Sequence, residues 1–205
     1  MNMPKVSDQH KEQRAKLILL AAENVFKRKG YELTTVQDIL DEAKISKGGF
    51  YLYFNGKDDV FAELEKQFEL YLFSSKKEHL NPIEQLEALI QGVIHVINDL
   101  EKTIYPILFE YYLESYRNAE RKESLERRYE RSLAEIVSIL ERGMEQGLFK
   151  PRISTTSIAR MLMTYLDGLV CDSMQLGKEK IHFEEQVLVI KQIMNDLLGK
   201  ADQRC

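Results

Sequence analysis

Apolar residues recur at three- and four-residue spacing along most of the chain, the period of helices with one buried face. The first stripe is Leu17, Ile18, Ala21, Ala22, Val25 and Phe26; Ser7 or Asp8 can cap its helix, and Gly30 stops it. Thr34-Thr35-Val36-Gln37 places a hydroxyl three residues before glutamine, the capping-box spacing, and predicts a short helix ending near Ala43. Ser46 can cap another short helix through Phe50 to Tyr53. Asn55-Gly56 is a turn signal, since both residues tolerate positive φ, and the stripe resumes with Val60, Phe61, Leu64, Phe68, Tyr71 and Leu72. Four helices therefore occupy roughly the first 75 residues.

Beyond them the pattern predicts five or so longer helices. Asn81-Pro82 reads as an N-cap followed by proline at the first helical position, with Ile83, Leu86, Leu89, Ile90, Val93, Ile94 and Ile97 as the stripe. A segment near Pro106 carries Ile107, Leu108, Tyr111, Tyr112 and Tyr116. Next comes a long charged amphipathic helix with Leu125, Tyr129, Leu133, Ile136, Leu140 and Met144 on one face, stopped by Gly147 and Pro151. The last two helices run from about Thr155 to Leu176 and from about Phe183 to Leu198. Their apolar sets are wider than one buried face needs, which predicts a second buried face against a partner. His95, in an apolar helix next to Val96, reads as a core histidine.

Composition supports the same picture. Ten glycines and four prolines in 205 residues fall well below the usual ~12% and leave little room for the hairpins of a β-fold. The expected fold class is all-α, with about nine helices. The net charge of −4 argues against a general positive field that coats nucleic acid. Charge is unevenly spread, however: Met1 to Lys29 holds seven Lys/Arg against three Asp/Glu, and the remainder 22 against 30.

Cys171 and Cys205 are too few and too far apart for a disulfide framework or a four-ligand zinc site. Met1 to Gln13 has no apolar core of an export signal, and Leu17 to Ala22 is too short to span a bilayer, so the expectation is a cytoplasmic protein without a membrane anchor. No glycine-rich nucleotide loop, His-Glu-x-x-His helix or Gly-x-Ser-x-Gly elbow occurs, and His10, His79, His95 and His182 are scattered. No enzyme activity, cofactor or metal is expected.

Two short helices joined by a tight turn, the second beginning with small and polar residues, describe a helix-turn-helix whose second helix can enter the DNA major groove. Thr34 and Thr35 at a helix N-terminus offer hydroxyls and backbone amides to a phosphate oxygen, or simply cap the helix. Ser46 is mainly a cap. Lys47, Gly48 and Gly49 form the exposed first turn of the recognition helix; Lys47 can donate to guanine O6/N7 or to phosphate, and the glycines let the backbone come close to base edges. Phe50 and Phe54 are candidates for the small domain's core.

The ordered set Gly30-Tyr31-x-x-Thr34-Thr35, Ser46-Lys47-Gly48, Tyr51-x-Tyr53-Phe54 and Lys57, preceded by Ile18 to Ala22 and Phe26, resembles the DNA-binding domain of the TetR family of transcriptional regulators. Lys44 stands where the family's turn commonly has glycine, Gly49 where a hydroxyl residue is commoner, and Leu40 where alanine is usual. The resemblance implies a DNA-binding domain over residues 1–56, extending into the helix from 57 to about 75, and a helical effector-binding and dimerisation domain over 57–205. It places Tyr51 and Tyr53 on the phosphate backbone and makes Lys57 a phosphate clamp.

It further implies a homodimer through the last two helices, a palindromic double-stranded operator and an unknown small-molecule effector. The expected protein is a ligand-responsive repressor that releases its operator when the effector favours the wrong spacing of the two recognition helices. Tyr105, Phe109, Tyr112 and Tyr116, with Met144, Met161 and Tyr165, are the candidate pocket residues; each also reads as ordinary core. A different reading is a small-molecule binding or protein-interaction module in which the first helices serve only as scaffold.

Overall fold

The computed structural model describes residues 8–73 and 79–199, and Ser7 and Cys205 lie outside them. Among the described residues there are nine α-helices and no strand. They are α1 (Asp8–Leu33), α2 (Val36–Ala43), α3 (Lys47–Tyr51), α4 (Lys57–Phe73), α5 (Pro82–Asn98), α6 (Tyr105–Leu113), α7 (Ala119–Glu145), α8 (Thr155–Leu176) and α9 (Phe183–Leu198). The chain forms two compact units: residues 1–69 with 101–114, and residues 70–100 with 115–205.

In the first unit α1 packs on both α2 and α6. Ile18, Ala22, Val25 and Phe26 of α1 are buried, as are Ile39, Phe50, Val60 and Phe61, and the rings of Phe26 and Phe61 meet edge-on at 5.7 Å. Gly30 interrupts α1 with φ 76 and ψ 166, a backbone region open in practice only to glycine. The break releases carbonyls of the last turn, and side chains satisfy them. Thr34 Oγ1 donates to Gly30 O at 2.7 Å, and Lys57 Nζ donates to the carbonyls of Tyr31, Thr34 and Glu32 at 3.0, 3.0 and 3.3 Å. The same ammonium lies 4.4 Å from the centre of the Tyr31 ring, a cation–π contact. Around it Tyr31 stacks on Phe26 at 5.6 Å and meets Phe61 and Tyr111 edge-on at 4.8 and 4.7 Å. Tyr111 belongs to α6, so this helix is part of the core of the first unit. A second tie is buried: the Tyr112 hydroxyl donates to the Glu65 carboxylate of α4.

Thr34 therefore is not the cap of α2. Because its hydroxyl turns back to Gly30, the cap passes to Thr35, whose Oγ1 accepts from Asp38 N while Asp38 accepts from Thr35 N.

In the second unit α7 and α8 pack on each other and on α5, and α9 packs on α8. Asn81 caps α5 by accepting from Ile83 N and Glu84 N, with Pro82 in the first turn, as its sequence predicts. Arg142 of α7 donates to Gln85 of α5 at 2.6 Å, and the Tyr165 hydroxyl of α8 donates to Gln186 Oε1 of α9 at 2.7 Å. His95 is exposed and sits 3.9 Å from Asp99. The α5 stripe turns Val93, Val96 and Ile97 inward and leaves position 95 outside, so its apolar sequence neighbours do not bury it. No helix of the described residues is long and apolar enough to cross a membrane.

Gly30→Ala is expected to lower unfolding stability by about 1–3 kcal/mol, because a Cβ would also meet the Glu110 carboxylate at 2.9 Å. Urea titration followed by circular dichroism measures it, and an unchanged midpoint contradicts the argument.

Candidate nucleic-acid interface

The turn between α2 and α3 is short because Lys44 takes the left-handed conformation, φ 53 and ψ 46. Its amide closes α2 by bonding to Leu40 O, and Ile45 N bonds to the same carbonyl at 3.2 Å. A lysine thus does what glycine does more easily, at a cost on the order of 1 kcal/mol. Ser46 then caps α3, its Oγ accepting from Gly49 N at 3.2 Å. A Cβ on residue 49 would approach that Oγ to 3.3 Å, whereas nothing lies within 4 Å of a Cβ built at Gly48. Gly49 makes room for the cap, and Gly48 presents open backbone.

Phe50 and Phe54 anchor this short helix in the core, with Phe50 fully buried. Lys47, Tyr51 and Leu52 point outward and Tyr53 is half-buried. Leu52 is 79% exposed. Sequence reasoning passed over it because an apolar residue beside Phe50 and Phe54 reads as more core. Lys44 was also missed as a contact, being weighed only as a poor substitute for glycine. The side chains of Lys44 and Lys47 are both exposed and make no hydrogen bond or ion pair with another described residue.

Four cations of α1 are engaged. Lys16 pairs with Glu12, Lys27 with Glu23, Arg28 with Glu42 and Lys29 with Asp38. The pairs of Arg28 and Lys29 tie α1 to α2. The Lys29 ammonium, together with the Thr35 hydroxyl and amide, holds the Asp38 carboxyl well below the usual carboxylate range. Thr35 itself is exposed, and its hydroxyl donates to Asp38 at 2.7 Å. The amides of Val36 and Gln37 in the first turn of α2 have no partner within the helix. Of the nine DNA-contact candidates, the structure leaves Thr35, Lys47, Gly48 and Tyr51 on the surface, with Ser46 exposed as a cap. Tyr53 and Gly49 are half-buried. Thr34 is buried, and the amine of Lys57 faces the end of α1, so both hold the scaffold together.

The seven effector-pocket candidates are spread over both units. Tyr105 and Tyr112 lie in the core of the first unit and Phe109 is half-buried there. In the second unit Tyr116 and Met144 are exposed, Met161 is half-buried and Tyr165 is bonded to α9. A cleft between α1 and α4 in the first unit and a cavity between α5 and α9 in the second include none of the seven. The tyrosines crowd in sequence because α6 is short and apolar nearly all round, and it uses them for packing. Among the described residues no group of three metal-ligating side chains occurs.

Comparison with known proteins agrees with this geometry. Residues 18–64 match the family described as "Bacterial regulatory proteins, tetR family", and residues 85–184 match "Tetracyclin repressor-like, C-terminal domain". The chain is 33% identical over 180 residues to the uncharacterized HTH-type transcriptional regulator YfiR of Bacillus subtilis, covering 86% of this chain and 88% of that one. It is 27% identical over 164 residues to the HTH-type transcriptional repressor KstR2 of Mycobacterium tuberculosis, covering 78% and 80%. A crystal structure of a TetR transcription regulator from Haloarcula marismortui superposes with a TM-score of 0.75 at 19% identity, over 91% of this chain and 99% of that one.

Two outcomes follow from the ties around α2. Replacing Lys57 by methionine removes one donor from each of three carbonyls and is expected to cost roughly 1–3 kcal/mol in the absence of any DNA; a midpoint equal to wild type makes the contacts idle. The stabilisation from ionised Asp38 is present above the unfolded carboxylate value near ~3.9 and fades as pH falls below it. Urea midpoints measured against pH should therefore fall less steeply below about pH 4 for Asp38→Ala than for wild type, and parallel acid limbs contradict this.

Proposed function

The chain belongs to the TetR family of transcriptional regulators, and on that premise we propose that it is a ligand-responsive repressor which releases a palindromic operator when a small molecule binds. It is a DNA-binding transcription regulator; regulators of this family bind operator DNA and act as dimers. The observation that carries the reading is the pair of uncommitted lysines, Lys44 and Lys47, on either side of the helix-turn-helix turn, next to open backbone at Gly48.

In this reading residues 1–56 are the DNA-reading head, extended by the helix from 57 to about 75, and residues 57–205 hold the effector and dimer functions. Lys47 donates to guanine or to phosphate and Lys44 to phosphate. Thr35, the first amides of α2, Tyr51 and Tyr53 hold the backbone, and Leu52 can meet a thymine methyl. Lys57 and Thr34 act indirectly by fixing the start of α2. A homodimer through α8 and α9 is supported by the exposed apolar residues Leu176, Leu188 and Val189. A repressor of this kind works in the cytoplasm, beside the chromosome, and needs neither cofactor nor metal. The chain's net charge of −4 is doubled in a dimer, which keeps affinity for unrelated DNA low and leaves binding to sites where both heads dock.

The test is an electrophoretic shift with DNA upstream of the protein's own gene. A specific complex at moderate salt is expected without effector, and none under those conditions defeats the proposal. Lys47→Ala is expected to relax discrimination at one position of each half-site if it reads a base. Lys44→Gly separates two effects: relief of the left-handed lysine stabilises the fold by on the order of 1 kcal/mol, while DNA affinity falls uniformly and the salt slope drops by about 1 per head.

A further inference from the structure

We infer that the cavity between α5, the turn after α7 and α9 binds an uncharged amphiphile, a molecule with an apolar body and a neutral hydrogen-bonding head of the aliphatic alcohol class. The space measures about 290 Å³. At about 30 Å³ for a water-sized group, it accommodates roughly ten non-hydrogen atoms.

The floor is apolar. Leu86 and Ile90 rise from α5, Met194 and Leu198 from α9, and the ring of Phe149 closes one side. This wall is held from two directions. The Phe149 ring lies on Gly143 so closely that a Cβ there would come within 2.0 Å of it. The adjacent Lys150 N donates to Leu198 O at 2.8 Å and fastens the turn to the end of α9. A cavity bounded in this way is ready before a ligand arrives, which lowers the ordering cost of binding.

The rim selects the head group. Glu87 and Gln91 lie one turn apart on α5, and Lys191 and Asn195 one turn apart on α9. None of the four side chains makes a hydrogen bond or ion pair with another described residue. Each helix therefore offers one charge and one amide, and the charges have opposite sign. An anion drawn to Lys191 meets Glu87, and a cation drawn to Glu87 meets Lys191. A hydroxyl both donates and accepts, so it engages either side without a like-charge penalty. On α9 the exposed Val189 lies on the face opposite Lys191 and Leu198, whereas Leu188, three residues before Lys191, flanks the rim, so a partner helix seated on Val189 leaves this cavity accessible.

The inference names the effector cavity of the repressor proposed above and rests on that reading only for its consequence. Binding is measured by titration calorimetry on the full chain alone, with 1-octanol, octanoate and octylammonium as matched probes. One saturable site per chain is expected for octanol, with both ions weaker by at least about tenfold, or 1.4 kcal/mol. Met194→Trp and Leu86→Phe fill the space and should abolish octanol binding while circular dichroism shows an intact helical fold. Two variants guard against one of them misfolding, and the indole of the first reports on the cavity in a chain that has no other tryptophan. Lys191→Gln should strengthen octylammonium binding and leave octanol within about twofold. The site is overturned if octanoate or octylammonium matches octanol in wild type, if octanol still binds a folded variant with the space filled, or if no probe saturates. A shift assay with octanol separates the two readings: loss of the DNA complex supports both, whereas saturable binding with an intact complex keeps the site and counts against release by this ligand.

Discussion

The DNA-reading unit depends on how the end of α1 is satisfied. A helix broken at Gly30 leaves carbonyls without intrahelical donors, and an unmet buried carbonyl costs as much as a lost hydrogen bond. Lys57, more than twenty residues later, brings one ammonium to three of them and rests on the ring of Tyr31. That contact brings the start of α4 to the end of α1. Thr34 completes it from the other side, and in doing so hands the capping of α2 to Thr35. The position of α2, and through the left-handed Lys44 that of α3, follows from these bonds.

The same economy of partners shapes the electrostatics. The basic excess of the N-terminal segment looked like a field for DNA, yet four of its cations are paired with carboxylates in the folded unit. At the reading head itself, the side chains of two lysines flanking one turn keep no such partner among the described residues. A regulator that is acidic as a whole gains little from long-range attraction, which salt screens within about 8 Å. Affinity must then come from placed contacts, and placed contacts are what discriminate between sequences.

Much of the fold was legible in the chain. The stripes of α5, α8 and α9 and the Asn81-Pro82 start are local signals, and the helices formed within a residue or two of where these signals put them. The motif from Gly30 to Lys57 was legible as a unit. The readings that shifted were those depending on partners distant in sequence. Nothing near Lys57 says that its amine will face the end of α1, and nothing near Thr34 says that its hydroxyl will turn back to Gly30. The tyrosines of α6 read in sequence as pocket or as core, because aromatic density does not reveal which side a short, nearly all-apolar helix buries; Tyr111 and Tyr112 meet Tyr31 of α1 and Glu65 of α4.

The sequence by itself determined that the protein is helical, where its helices begin and end, and that residues 30–57 carry a DNA-reading motif, because periodicity, caps and turns are set by neighbours within about one helical turn. Tertiary structure alone decided which lysines remain free to touch DNA and where an apolar cavity survives between α5 and α9. Those outcomes depend on which distant carbonyls, carboxylates and rings arrive at each side chain, and that is settled only when the helices pack.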